Sequence, residues 1–118
     1  MPGKWISKDN RHAIYERDNH CCQWCMSPVV VRGFSAADGA VSSAQVACLD
    51  HVIPQSLYVG LVGSTKGMNT RNNLVTACNK CNAWRRNLGT TEFSQVVSVQ
   101  TGESFESILT RVMGQLTK

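Results

Sequence analysis

Apolar residues along this chain fall in short, unequal clusters, and their spacing predicts helix at both ends with strand between. In ISKDNRHAIYERDNH, residues 6–20, Ser7 suits a helix N-cap, and Ile14 and Tyr15 follow Arg11 by about one turn. A short helix ending near Asp18 and Asn19 is expected. VVVRGF at 29–34 is rich in β-branched side chains, and SAQVACLD at 43–50 partly alternates. With the Gly- and Ser-bearing SAADGAVSS between them, these read as a hairpin with a long loop. From Pro54 to Asn73, three glycines and little periodicity predict an extended surface loop, of a length that often carries function. NLVTACNKCNAWRRNL then runs into Gly89, a residue suited to the C′ position, so a helix from about Asn79 to Leu88 is expected. In the tail, Phe105, Ile108, Leu109, Val112, Met113 and Leu116 follow the spacing of an amphipathic helix, whose stripe ordinarily packs inward.

Length changes this picture little: 118 residues suit one domain with a modest core, which a metal or disulfide staple would help. No stretch approaches the roughly 20 apolar residues that span a bilayer, so no membrane role is expected. MPGKWISKDN carries no apolar run behind its charge. The chain as given therefore predicts a cytoplasmic setting, where cysteines favour metal over disulfide. A net charge of +4 fits a polyanionic partner without requiring one.

Cys22 and Cys25 form one CxxC pair, and Cys78 and Cys81 a second. Two thiolates at that spacing can face one ion from a tight turn, and two pairs complete a tetrahedral zinc shell closed to substrate. Such a site would tie the start of the domain to its last motif helix. The competing reading is redox pairs or free buried thiols, but no thioredoxin-like βαβ context accompanies them. Cys21 and Cys48 are expected to pack rather than ligate, and His12 and His20 to be solvated.

With the sulfur shell filled, Asp50 and His51 remain for chemistry just before Pro54, where a strand would end. An aspartate can hold a divalent ion such as Mg²⁺, and a neutral imidazole beside it can take a proton from water. Alone, an Asp-His pair reads first as structural.

Together, RDNHCCQWC, LDHVIPQS and TRNNLVTACNKCNAWRR resemble the HNH nuclease family, over about residues 11–88. The resemblance implies an α+β fold: a small, treble-clef-like ββα-metal domain stapled by a four-cysteine zinc site, to which the apolar spacing adds N-terminal and C-terminal helices, the tail lying outside the resemblance. One domain over 1–118 is expected, with a helical tail over about 90–118. The resemblance further implies that His51 is the general base, that Asp50 and Asn82 hold a catalytic Mg²⁺ or Mn²⁺, and that Asn73 fixes the loop carrying the base. Asn72 is a weaker alternative, set aside by register against Leu74. The activity implied is metal-dependent hydrolysis of DNA phosphodiester bonds, in a bacterial or phage-infected cell. Arg71, Lys80, Arg85 and Arg86 would contact phosphates. Arg85 stands where the family often has lysine, and GLVGSTKG replaces its usual glycine pair. A non-catalytic zinc knuckle that binds nucleic acid or protein is the alternative. It explains the cysteines but not Asp50, His51 and Asn82.

Overall fold

The computed structural model describes residues 6–31, 43–86 and 88–118. Helix α1 spans Lys8–Arg17, with Ser7 accepting from the Asn10 amide as its N-cap. At its C-terminal end Asp18 is buried and accepts from the Thr76 amide at 2.8 Å, while Arg17 Nε pairs with its other oxygen. That carboxylate locks the helix to the strand carrying Thr76.

Two antiparallel strands form the centre: β1, Ala47–His51, and β2, Leu74–Cys78. The register runs from Ala47 opposite Cys78 to His51 opposite Leu74. All of β2 is buried, so it reads as a continuous apolar run rather than an alternation. The expected pairing of 29–34 with 43–50 is not what partners β1. Val30 meets Val46 in an isolated parallel bridge, and residues 32–42 of that expected hairpin lie outside the described residues.

The stretch expected to be loop from Pro54 onward contains a helix, α2, Gln55–Val62, closed by Gly63 at φ +92°. Only Tyr58 on it is buried; Leu57, Val59, Leu61 and Val62 are exposed. A helix with so little burial carries no inward stripe, which is why periodicity does not announce it. Helix α3, Asn79–Arg85, follows β2 directly, with the Cys78 sulfur accepting from the Cys81 amide at its start. It stops earlier than expected, at Arg86 with φ +46°. Gly89 has φ −66° and caps the start of the next helix instead of closing this one. The tail forms two helices, α4 (Thr90–Thr101) and α5 (Phe105–Gln115), separated by Gly102 at φ +82°. From the predicted stripe, Ile108, Val112 and Leu116 are buried, whereas Met113 is exposed.

The core gathers Trp24, Val52, Val75, Phe93, Val97, Ile108 and Val112. Trp24 meets Phe93 edge-on, with ring centroids 5.0 Å apart. The result is a small α+β fold of five helices and a two-stranded sheet among the described residues. No helix there is long and apolar enough to cross a membrane.

Candidate active site and metal centre

The two CxxC turns meet. Sulfurs of Cys22, Cys25, Cys78 and Cys81 all lie within 4.8 Å of one another, and Cys25 Sγ stands 3.8 Å from Cys78 Sγ. Tetrahedral zinc with Zn–S near 2.3 Å requires sulfur separations of about 3.8 Å, so the cluster fits a zinc site. Local backbone builds it: the Met26 amide donates to the Cys22 carbonyl to close the first turn, and Met26 takes φ +65°. The thiols also fit a cation electrostatically. Hydrogen bonding from Cys22 leads the effects that hold Cys25 far below the usual thiol range and Cys78 down at about 6. The same crowding pushes Cys22 and Cys81 up, with Cys25 the leading cause for Cys22 and Cys22 for Cys81. Held as four thiolates, the cluster would carry negative charge that a bound cation offsets. Cys21 and Cys48 stand outside the cluster; Cys48 Sγ lies 3.6 Å from Asn79 Oδ1.

A cleft of about 390 Å³ opens at the other end of the hairpin. Asp50 and His51 from the end of β1, Asn82 and Arg85 from α3, and Gln55 and Ser56 from α2 line it, together with Pro54 and Arg86. Asp50, His51 and Asn82, far apart in sequence, therefore share one concavity.

Asp50 is 6% exposed. Its Oδ2 accepts from Trp24 Nε1 at 2.8 Å and from Arg85 at 2.5 Å, and no hydrogen bond among the described residues engages Oδ1. Burial pushes its carboxyl above the usual carboxylate range, opposed mainly by the Arg85 charge. Oδ1 and the amide oxygen of Asn82 are both hard donors, of the type that Mg²⁺ and Mn²⁺ take, and both residues line the cleft.

His51 sits half-buried, with Nε2 2.7 Å from Asn69 Oδ1 and 3.3 Å from Gln55 Nε2. The shorter contact, to an oxygen, suits the tautomer in which Nε2–H donates to Asn69 Oδ1 and Nδ1 carries the lone pair. Asn73 stands behind this arrangement. It is 2% exposed, its Oδ1 accepts from the Ile53 amide, and its Nδ2 donates to the carbonyls of Ile53 and Met68. One side chain thus clamps the segment just after His51 to the segment just before Asn69. Tyr58 adds a second tie, donating to the Lys66 carbonyl at 2.6 Å. Gly67 passes beneath it at φ +86°, where a Cβ would come within 2.9 Å of the Tyr58 hydroxyl.

The four basic residues expected to contact phosphate are not together. Arg86 is exposed on the cleft. Lys80 is exposed on α3, its Nζ 5.2 Å from the Trp84 ring centroid. Arg71 is exposed and bonded to the Lys118 carbonyl, away from the cleft lining. Arg85 is only 3% exposed: its guanidinium pairs with Asp50, donates to the Val52 carbonyl at 2.7 Å and stacks 4.9 Å from the Trp24 ring. It is a core residue with one edge on the cleft. Trp24, Asn69 and Gln55 are contributors that sequence reading missed; the only hint for Trp24 was its place inside the first CxxC.

A family model described as HNH endonuclease matches residues 22–87, more than half of the chain. The chain belongs to the HNH endonuclease family. A search of curated proteins found no match. The HNH match begins at the first cluster cysteine and ends just beyond α3, so both CxxC turns and every cleft residue fall inside it, while α1, α4 and α5 lie outside. Membership implies a nuclease-type hydrolase with nucleic acid as substrate.

Proposed function

We propose that this HNH protein is a divalent-metal-dependent DNA endonuclease with His51 as general base. The observation that supports this most is the meeting of Asp50, His51 and Asn82 in one cleft, with the His51 ring already oriented by Asn69. In this reading Nδ1 of His51 takes the proton of the attacking water, while the Nε2 bond to Asn69 keeps the ring in the required tautomer. Asn73 holds the backbone on both sides of that pair. Asp50 Oδ1 and Asn82 would hold a Mg²⁺ or Mn²⁺ ion, which when bound neutralises charge on the scissile phosphate and on the leaving 3′-oxygen. Arg86 and Lys80 supply phosphate contacts, and Arg85 contributes its charge from behind Asp50. The ion in the cysteine cluster is zinc and structural, closed to substrate.

Incubation of the protein with plasmid and Mg²⁺ or Mn²⁺, with and without chelator, tests the reading. Nicked or linear product that needs the divalent ion is the expected result. DNA binding without cleavage under every metal would replace it with the non-catalytic zinc knuckle, which no feature of the cleft favours.

A further inference from the structure

Trp24 lies between the two cysteines of the first turn, yet its indole is completely buried and reaches out of the cluster to a residue of the cleft. Nε1 donates to Asp50 Oδ2 at 2.8 Å, across 26 residues of sequence. A zinc turn needs only its thiols, so the cluster does not account for an indole at this place. Packing accounts for the ring but not for the direction of its N–H. Phe93 meets it edge-on with centroids 5.0 Å apart, and the Arg85 guanidinium lies 4.9 Å from its centroid. The backbone is held as well: the Gln23 amide donates to the Thr76 carbonyl at 2.9 Å, and Arg111 donates to the Trp24 carbonyl at 3.0 Å. The donor is therefore fixed in place from several sides.

What that donor does follows from how Asp50 is gripped. Arginine–carboxylate pairs are often bidentate, with one N–H on each oxygen. Arg85 divides its fork instead: Nη1 goes to Asp50 Oδ2, Nη2 to the Val52 carbonyl at 2.7 Å, and Nε to the Leu88 carbonyl at 3.0 Å. Trp24 adds its bond to the same carboxylate oxygen. Two donors from different directions use both lone pairs of Oδ2 and fix the plane of the group, where a single contact would let it turn about Cβ–Cγ. Neither bond draws on Oδ1.

We propose that Trp24 is a positioning residue: its indole N–H sets the Asp50 carboxylate so that Oδ1 is presented to a divalent ion in the cleft. The proposal rests on the metal-ion part of the reading above. Binding of Mn²⁺ to zinc-loaded protein, followed by the electron paramagnetic resonance of the free ion, tests it without cleavage. Trp24→Phe keeps an aromatic ring and drops the donor. Its Mn²⁺ dissociation constant should rise about 10- to 100-fold, the usual cost of removing a group that orients a metal ligand. Trp24→benzothienylalanine keeps the outline of the indole with sulfur in place of N–H and should give the same rise, which separates loss of the bond from loss of packing. Zinc content and circular dichroism establish that both variants are folded. In the wild type the indole ¹⁵N–H resonance of Trp24, identified by its loss in Trp24→Phe, should shift with Mg²⁺, and in Asp50→Ala it should not. Weaker Mn²⁺ binding in both variants together with that shift supports the proposal. Wild-type Mn²⁺ binding by the benzothienyl variant overturns it, leaving Trp24 as packing alone and the nuclease reading intact. Wild-type protein whose Mn²⁺ binding does not depend on Asp50 overturns it as well. Failure of the plasmid assay, by contrast, removes the nuclease reading and leaves these binding results standing.

Discussion

The cysteine cluster and the cleft stand at opposite ends of one hairpin, and they are built on different principles. At the Ala47–Cys78 end, four ligands of one chemical type converge from two tight turns, and their only demand is a cation. At the His51–Leu74 end, the side chains differ, and each depends on a partner elsewhere: Asp50 on Trp24 and Arg85, His51 on Asn69, and both flanking loops on Asn73. Helix α3 joins the two, carrying Cys81 into the cluster and Asn82 into the cleft on consecutive residues. On the proposed reading the first end holds the chain and the second does chemistry, so damage at each should have a distinct signature.

The largest effect is expected at the cluster. Cys22→Ser or Cys81→Ser should lose the metal and with it the cooperative fold, because structural zinc contributes about 10 kcal/mol or more to folding; elemental analysis and thermal unfolding followed by circular dichroism check this. Cys21→Ser and Cys48→Ser should keep both metal and fold. If they did not, the separation of cluster from bystander cysteines would be broken.

His51→Ala should reverse the pattern. Plasmid cleavage falls by about 10²- to 10⁴-fold, the usual cost of a general base, while zinc content and melting temperature stay at wild-type values. A comparable loss of stability would mean that the cleft too is structural. Asp50→Ala and Arg85→Ala should fall between the two ends. Each leaves the other's charge buried and unpaired, a loss of about 3–5 kcal/mol readable in denaturant melts, and Asp50→Ala should abolish cleavage as well. A stable but inactive Asp50→Ala protein would show the ion pair to be dispensable to the fold.

The smallest effect concerns the tail. Glu103 bonds Arg111 at 2.6 and 2.9 Å, and that guanidinium holds its carboxyl below the ordinary value of 4.5. A depressed acid stabilises the fold above its unfolded value, and the contribution is lost as pH falls through its folded one. Glu103→Gln should therefore lower the melting temperature by only about 1–4 °C at neutral pH, and the gap to wild type should close well below pH 4.5.

The two ends were also unequally legible in the sequence. CxxC spacing is a local geometric statement, so the cluster could be read without the fold. Asn73 and Asn82 were legible through the family resemblance, which orders motifs along the chain. Arg85 was visible as a charge but not as a core residue, because only folding brings Asp50, Trp24 and Phe93 around it. Asn69 lies in a loop with no motif of its own, and its bond to His51 depends on the Asn73 clamp rather than on neighbouring sequence. Helix α2 escaped because its apolar side chains face outward, the reverse of the pattern that identifies a helix.

Helix α5 lies wholly beyond the HNH match, yet Arg111 on it donates to the backbone carbonyls of Gln23 and Trp24, inside the first cysteine turn. Gln115 reaches the Gln23 side chain from the same helix. The stretch that defines kinship is therefore smaller than the stretch that must be inherited intact. A fragment trimmed to residues 22–87 would keep every ligand and every cleft residue, but the turn that presents Cys22 and Cys25 would lose its outer brace, and Trp24 would lose the Phe93 ring against which it rests. Any graft of this HNH domain onto another protein has to carry the tail with it, or supply a substitute surface at Gln23 and Trp24.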